Sequence, residues 1–423
     1  MTDKLFILFF MTSAVWGSAI DGIRLPIIGS LFPLRIAVLL FAVIILFKTY
    51  IEKQQILILQ APDTRISRFK NVTLYCGVIM MITGLITIYW AYNTSVVFVD
   101  LVTWFTSFIT LAMCFFYLKS FDDVLFASRI YTINFIIIGS IGIYESFTGD
   151  YYKMVYDFYS RQRNFLGLYM PASTMININN FAMFMVMSLP ICFIATQRLK
   201  GKSLVDMLLL VFSGFVTILT GCNTALVVLC MIIALYVYYN RTKKVSWVLV
   251  VSIVISLLIF GSIVGNIFNE ITNFSVKDEP RFEIWQNAIE VAWRYKFMGI
   301  GPGNGDIING LYAENRMNAT TVHNYLLTAF QEFGIIGGGF FIFWVLKLLY
   351  NMFAVYIETR HKWLKNALMF AIIFLPSTLC MSTMVGYYFV WAEFGIIAAL
   401  CGACEKQYLI ERNVSDEPKR EGF

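Results

Sequence analysis

Polar and apolar positions along the chain come in long blocks. Twelve apolar runs fall at roughly 5–20, 30–47, 72–92, 96–118, 128–148, 177–196, 204–221, 223–240, 246–265, 325–350, 366–384 and 386–404. Each is close to the ~20 residues that an α-helix needs to cross hydrocarbon. None alternates with a period of two, which excludes an outer-membrane barrel. The pattern predicts an all-α fold, a polytopic membrane helical bundle of about 12 transmembrane helices with a large extracytoplasmic loop. Residues 1–265 would hold helices 1–9 with an outer loop near 149–176. Residues 266–324 would form the large loop, 325–404 helices 10–12, and 405–423 a cytoplasmic tail. The first run ends at the small residues Gly17, Ser18 and Ala19, which also suits a signal peptide; the single preceding base, Lys4, favours an uncleaved helix.

Composition agrees with a membrane chain. Hydrophobic residues make up 59% and charged residues 14%, against roughly half and a quarter in soluble domains. The net charge of +6 does not point to nucleic acid, because the bases sit between apolar runs, where topology needs them. With the N-terminus inside, 21 Lys and Arg lie on the cytoplasmic side and 10 outside. That bias places both termini in the cytoplasm and both long loops outside a cytoplasmic (inner) membrane. Of the eight cysteines, seven lie in apolar runs and Cys222 in a tight turn, so they form no disulfide framework. Cys401 and Cys404 make a Cys-x-x-Cys without a second pair, and a metal site there is not expected.

The long outer loops are where function is expected. In Arg281–Lys296, Phe282, Trp285, Ile289 and Ala292 recur at helical spacing, with Glu283, Gln286, Asn287 and Glu290 opposite. This predicts a short amphipathic helix, lying either on the outer membrane surface or against the other spans. Trp285, four residues after Arg281, would share its face and anchor it at the headgroups. The loop carries five bases and seven acids, so it does not draw anions by bulk charge. Particular arginines would have to grip a phosphate by fork geometry.

Only two histidines exist. His361 lies between Arg360 and Lys362 and reads as a solvated loop residue. His323 stands where the long loop enters the tenth run, after Thr320 and Thr321, either of which can cap the helix. The positive helix end disfavours an imidazolium, so a neutral base is expected; spacing alone leaves a plain capping or interface role open. Glu332, nine residues on, is half a turn out of phase on an unbroken helix and should cap or pair elsewhere. The glycines of Gly299-Ile-Gly301-Pro-Gly303-Asn-Gly305 suit either an anion-binding nest or a tight turn. Glu332-Phe-Gly334-Ile-Ile recurs as Glu393-Phe-Gly395-Ile-Ile.

In order, Arg281-Phe-Glu-Ile-Trp285, Gly299-Ile-Gly301-Pro-Gly303, His323-Asn324-Tyr-Leu and Glu332-Phe-Gly334-Ile-Ile-Gly337 resemble the O-antigen ligase and polymerase superfamily of polysaccharide assembly. The likeness covers about 281–338 and extends more weakly to Arg163-Asn-Phe-Leu-Gly167 and Asn179-Asn180-Phe-Ala182. It implies a membrane-embedded glycosyltransferase facing away from the cytoplasm, building a capsular or exopolysaccharide. A sugar on a polyprenyl (undecaprenyl) diphosphate would be attacked by an acceptor hydroxyl. His323 would be the base and Arg281 would hold the diphosphate, with Arg163 second and Gly301, Gly303 and Asn324 binding substrate. Glu332, Trp285 and Gly334 would support them. No cofactor or metal is implied; the partners would be a lipid-linked oligosaccharide, the membrane, and a chain-length regulator and flippase. One departure is Asn223, where many members carry an arginine; Arg163, Arg161 or Arg35 would have to replace it. The Glu-x-Gly-Ile-Ile-Gly pattern leans towards a polymerase. A ligase passing glycan to a lipid or protein, a lipid-linked oligosaccharide flippase, and a metal-dependent transferase are the competing readings.

Overall fold

The computed structural model describes residues 2–19, 23–25, 29–50, 64–152, 163–240, 281–312, 321–379, 381 and 385–416. The predicted run at 246–265 lies outside them. All other predicted runs coincide with helices, which are α1 (Thr2–Trp16), α2 (Pro33–Tyr50), α3 (Arg65–Thr87), α4 (Thr94–Tyr117), α5 (Phe121–Thr148), α6 (Ile178–Met187), α7 (Leu189–Ala195), α8 (Lys202–Thr220) and α9 (Asn223–Asn240) in the first part. The long loop contributes α10 (Arg281–Arg294) and α11 (Gly305–Tyr312), followed by α12 (Tyr325–Thr359), α13 (Leu364–Thr378) and α14 (Tyr388–Asp416). A short antiparallel ribbon joins α1 to α2, with β1 (Ile23–Leu25) pairing β2 (Gly29–Leu31).

Against the expected twelve spans, seven helices among the described residues are long and apolar enough to cross a membrane, α6 and α7 counting as one. Pro33–Ile45, Asn223–Tyr239 and Leu364–Thr378 are shorter apolar helices. The outward faces decide the environment. Ile133, Ile136 and Ile137 on α5, and Leu204, Met207, Leu208 and Val211 on α8, are exposed in continuous stripes. Water does not tolerate apolar stripes of that extent on a monomer, whereas hydrocarbon does. The chain is a multi-pass membrane protein.

Two helices form the centre. Residues Phe181–Met187 and Leu189–Ile194 are buried without interruption, and so is most of α14 from Tyr388 to Cys404. A helix apolar on every side has no other stable place than the interior. Around them Trp344 of α12 stacks on Trp391 of α14 at 5.7 Å, and Trp104 and Phe108 of α4 meet Trp391 edge-on. Helices α3 and α12 run antiparallel: Arg65 at the start of α3 pairs with Glu358 at the end of α12. Glu405 of α14 accepts the Arg65 and Ile66 amides and caps α3. Arg65, Arg198 with Asp122, and Lys202 with Asp206 collect at this end of the bundle. The opposite end carries the long loop.

Close approach of α14 to α4 requires Gly395, because a Cβ there would lie 2.4 Å from both side-chain atoms of Cys114. Gly395→Ala is expected to destabilise the bundle by roughly 1–3 kcal/mol through overpacking, read as a lower unfolding temperature in detergent. Unchanged melting would mean that the two helices separate freely.

Candidate functional site

The site end is organised by a break in α12. Gly334 has φ 72° and ψ −171°, so the helical hydrogen bonds stop there and resume beyond it. Residues 297–301 run alongside and take up the freed groups. The Ile335 amide donates to Phe297 O at 2.9 Å, the Ile300 amide to Gln331 O at 3.1 Å, and the Gly301 amide to Glu332 O at 3.0 Å. A Cβ on Gly334 would sit 2.5 Å from Phe297 O, and one on Gly299 2.6 Å from Glu332 O. Both positions therefore need glycine, for contact and for their positive φ.

The Glu332 carboxylate accepts the amides of Gly303 and Gly305 and so caps the start of α11. The capping role expected for Glu332 is thus played towards the loop. Gly301 and Gly303, expected to bind substrate, turn their amides inward to Glu332. Amides committed to the protein's own carbonyl or carboxylate suit the tight turn, the other of the two expectations for these glycines.

Sequence reasoning missed the amides that lock this loop. Asn304 is fully buried. Its Oδ1 accepts the Asn93 amide at 2.9 Å and its Nδ2 donates to Asn93 O at 3.3 Å. The Trp90 indole donates to Gly299 O at 2.7 Å. Asn309 and Gln331, both buried, face each other with Gln331 Nε2 donating to Asn309 Oδ1 at 2.6 Å. Asparagine and glutamine inside apolar surroundings were the available signal, because burial demands a partner.

His323 sits where three pieces converge. The Trp285 indole donates to Val322 O at 2.9 Å, so it is spent on the protein and not on headgroups. The helix cap is Asn324, whose side chain accepts the Leu327 amide at 3.2 Å. Thr321 instead donates its hydroxyl to Asp306 at 3.2 Å, and Thr320 lies outside the described residues. His323 itself takes φ 46°, which turns the chain out of the helix axis. Asp306 is exposed to solvent, yet the protein that surrounds it raises its carboxyl above the usual carboxylate range; Thr321 and His323 oppose that shift. Glu332 lies within electrostatic reach of Asp306 and of Asp100 on α4. No cluster among the described residues could hold a metal ion.

Helix α10 packs through Ile284, Ala288, Val291 and Ala292, while Ile289 and Trp293 are exposed. Its buried stripe is therefore rotated from the predicted one, because α10 packs on α11 and α12. Arg281 opens α10, but its side chain is outside the described residues. Between α10, α12 and α13 lies a groove of about 900 Å³ lined by Ile289, Asn324, Leu326, Phe330, Leu375 and Leu379 among others.

Arg163 is exposed on the other long loop, stacked on Tyr169 at 3.2 Å and donating to Gly167 O at 3.2 Å. Neither contact brings it to His323. Arg35 is buried, donating to Ser30 O at 2.9 Å and to the Thr103 hydroxyl at 3.2 Å, and it also meets Tyr388. Arg161 lies outside the described residues. His361, at the basic end, is not a solvated loop residue. It stacks on Phe121 at 5.1 Å and meets Cys404 Sγ at 3.3 Å, and burial lowers its pKa. The Cys-x-x-Cys thus does have a histidine beside it, which its distance in sequence concealed.

Residues 208–342 match the O-antigen ligase family. The resemblance therefore holds across α8 and α9, the long loop, His323 and the first half of α12. The matched segment contains Arg281, the glycine loop and the Gly334 break, whereas Arg163 and α14 lie outside it. It supports a glycan-transferring membrane enzyme. No match to a curated protein was found.

Gly334→Ala is expected to cost about 1–3 kcal/mol from the strained backbone, with added loss from the 2.5 Å contact at Phe297 O. Thermal unfolding in detergent measures it. A variant as stable as the parent would show that the break does not depend on glycine.

Proposed function

We propose that the protein is a metal-independent polysaccharide polymerase. It transfers a glycan from a polyprenyl-diphosphate carrier to a sugar hydroxyl of another lipid-linked repeat, on the outer face of the membrane. The observation that carries this reading is the match of residues 208–342, which include His323, to the O-antigen ligase family; Asn324, the next residue along the chain, lines the apolar groove. The groove is shallow and open, and its hydrocarbon lining suits part of a prenyl chain lying along it. The diphosphate end then lies near His323 and the start of α10.

His323 takes the proton of the attacking hydroxyl as the oxygen bonds to the anomeric carbon. The anomeric carbon–oxygen bond breaks and the lipid diphosphate leaves with the electron pair. Arg281 offsets the charge that grows on it through a bidentate grip. Arg163 is the second arginine of this reading, and Arg35 the alternative.

A transporter reading draws on the interruptions at Gly334 and Ser188 and on the buried Glu332 and Glu393. Both interruptions are closed by protein. Ser188 O still accepts the Ile191 and Cys192 amides, and the Gly334 break is bridged by residues 297–301. Broken helices that line an ion path leave such groups open.

His323→Ala is expected to abolish polymer while the protein still inserts, a loss of roughly 10²–10⁴ in rate; His361→Ala, at the other end, keeps activity. Arg281→Lys keeps the charge but loses the fork, and should fail less completely than Arg281→Ala. Polymer on gels and turnover of lipid-linked repeat at matched protein levels report both. Normal polymer in His323→Ala ends the proposal, and full turnover in Arg281→Lys moves the diphosphate grip to Arg163. Unchanged repeat units delivered across the membrane would support the transporter.

The orientation has its own test. A cysteine at Leu311, which is 58% exposed, introduced after removal of the native cysteines, should react with an impermeant thiol reagent in whole cells or spheroplasts. Labelling only after lysis would invert the topology and the mechanism with it.

A further inference from the structure

The acidic groups at the site end have no part in the transfer chemistry described so far. We infer that Asp306 is a positioning residue that holds and electrostatically supports His323 as the base, an inference that rests on the proposed transfer reaction. Three attachments, two before His323 and one after it, fix the segment. Thr321 donates its hydroxyl to Asp306 Oδ2 at 3.2 Å, Val322 O accepts the Trp285 indole at 2.9 Å, and Asn324 caps α12 through the Leu327 amide at 3.2 Å. Each comes from a different element, so the turn at φ 46° is held from α11, α10 and α12 together. Asp306 is the second residue of α11, and α11 is in turn seated on Glu332 through Gly305.

Charge gives the arrangement its chemical purpose. His323 stands at the positive end of α12, which opposes protonation of the ring. When the acceptor O–H breaks and its proton passes to the imidazole, the new positive charge needs a counter-charge close by. Asp306 is within electrostatic reach of His323. Among the described residues, Glu332 from α12 acts on Asp306, and Asp100 from α4 acts on Glu332 in turn. Glu332 has its carboxylate committed to Gly303 and Gly305. Asp306 is therefore the carboxylate attached to the His323 segment. It does not exchange a proton in the reaction; it steadies the ring and lowers the cost of the imidazolium.

Histidine-ring NMR on the full-length protein in detergent tests this without substrate. The chain has 2 histidines, and His361→Asn assigns the two signals. Asp306→Asn keeps an acceptor for Thr321 but removes the charge. It should lower the His323 titration midpoint by roughly one pH unit. With lipid-linked repeat extracted from producing cells, kcat should fall roughly 10²-fold with KM held, and the acid limb of the rate profile should move to lower pH. Asp306→Glu should restore the midpoint. If Asp306→Asn does not insert, Asp306→Ser carries the same comparison. An unchanged His323 midpoint in the folded variant overturns the inference. Polymer made normally by His323→Ala overturns the transfer reading itself, so the two failures are told apart.

Discussion

A helix that breaks within hydrocarbon frees carbonyls and amides that no water can satisfy, and a break persists only where the protein supplies the missing partners. In this chain the break at Gly334 is supplied by residues 297–301. Everything at the site end follows from that contact. It fixes the glycine loop against α12, and the loop carries α11, which places Asp306 beside Thr321. The interior amides of Asn304, Asn309 and Gln331 then tie the loop to α3–α4 and to α12. The segment around His323, suspended between loop elements, acquires the rigidity of the bundle in this way, which the proposed role of His323 as a base requires.

Charge is distributed unequally over the two ends. Ion pairs such as Arg65 with Glu358 and Arg198 with Asp122 collect at one end, while Asp100, Asp306 and Glu332 gather at the other. In the proposed transfer reaction, negative charge at the site supports a protonating histidine but repels a diphosphate. The two demands are compatible only if the arginine grip lies apart from the carboxylates. Arg281, at the far end of α10 from the glycine loop, meets that condition along the chain.

The repeated pentapeptide shows what local sequence does and does not specify. Gly334 breaks its helix at φ 72°, whereas Gly395 remains helical and lets α14 press on Cys114. Glu332 caps the loop helix, and Glu393 accepts from Tyr131 and Ser188 in the centre of the bundle. The same five residues take opposite backbone states because one segment has a neighbouring strand of loop to receive its freed groups and the other has only helices beside it.

The apolar runs, by themselves, determined that the chain is helical and lies in a membrane, since a continuous run near the bilayer thickness has no other stable state. The sequence also marked His323 at the entry to an apolar run, Trp285 in an amphipathic stripe and the glycine loop as a cluster of turn residues. It did not reveal the face on which α10 packs, for Ile284 and Ile289 are equally apolar and only the neighbours α11 and α12 choose between them. Nor did it reveal that Asn324 would cap α12 while Thr321 turned to Asp306, or that His361 would meet Cys404, 43 residues away. Those assignments depend on which donors the folded chain brings within about 3 Å of an acceptor, and that is decided by tertiary packing alone.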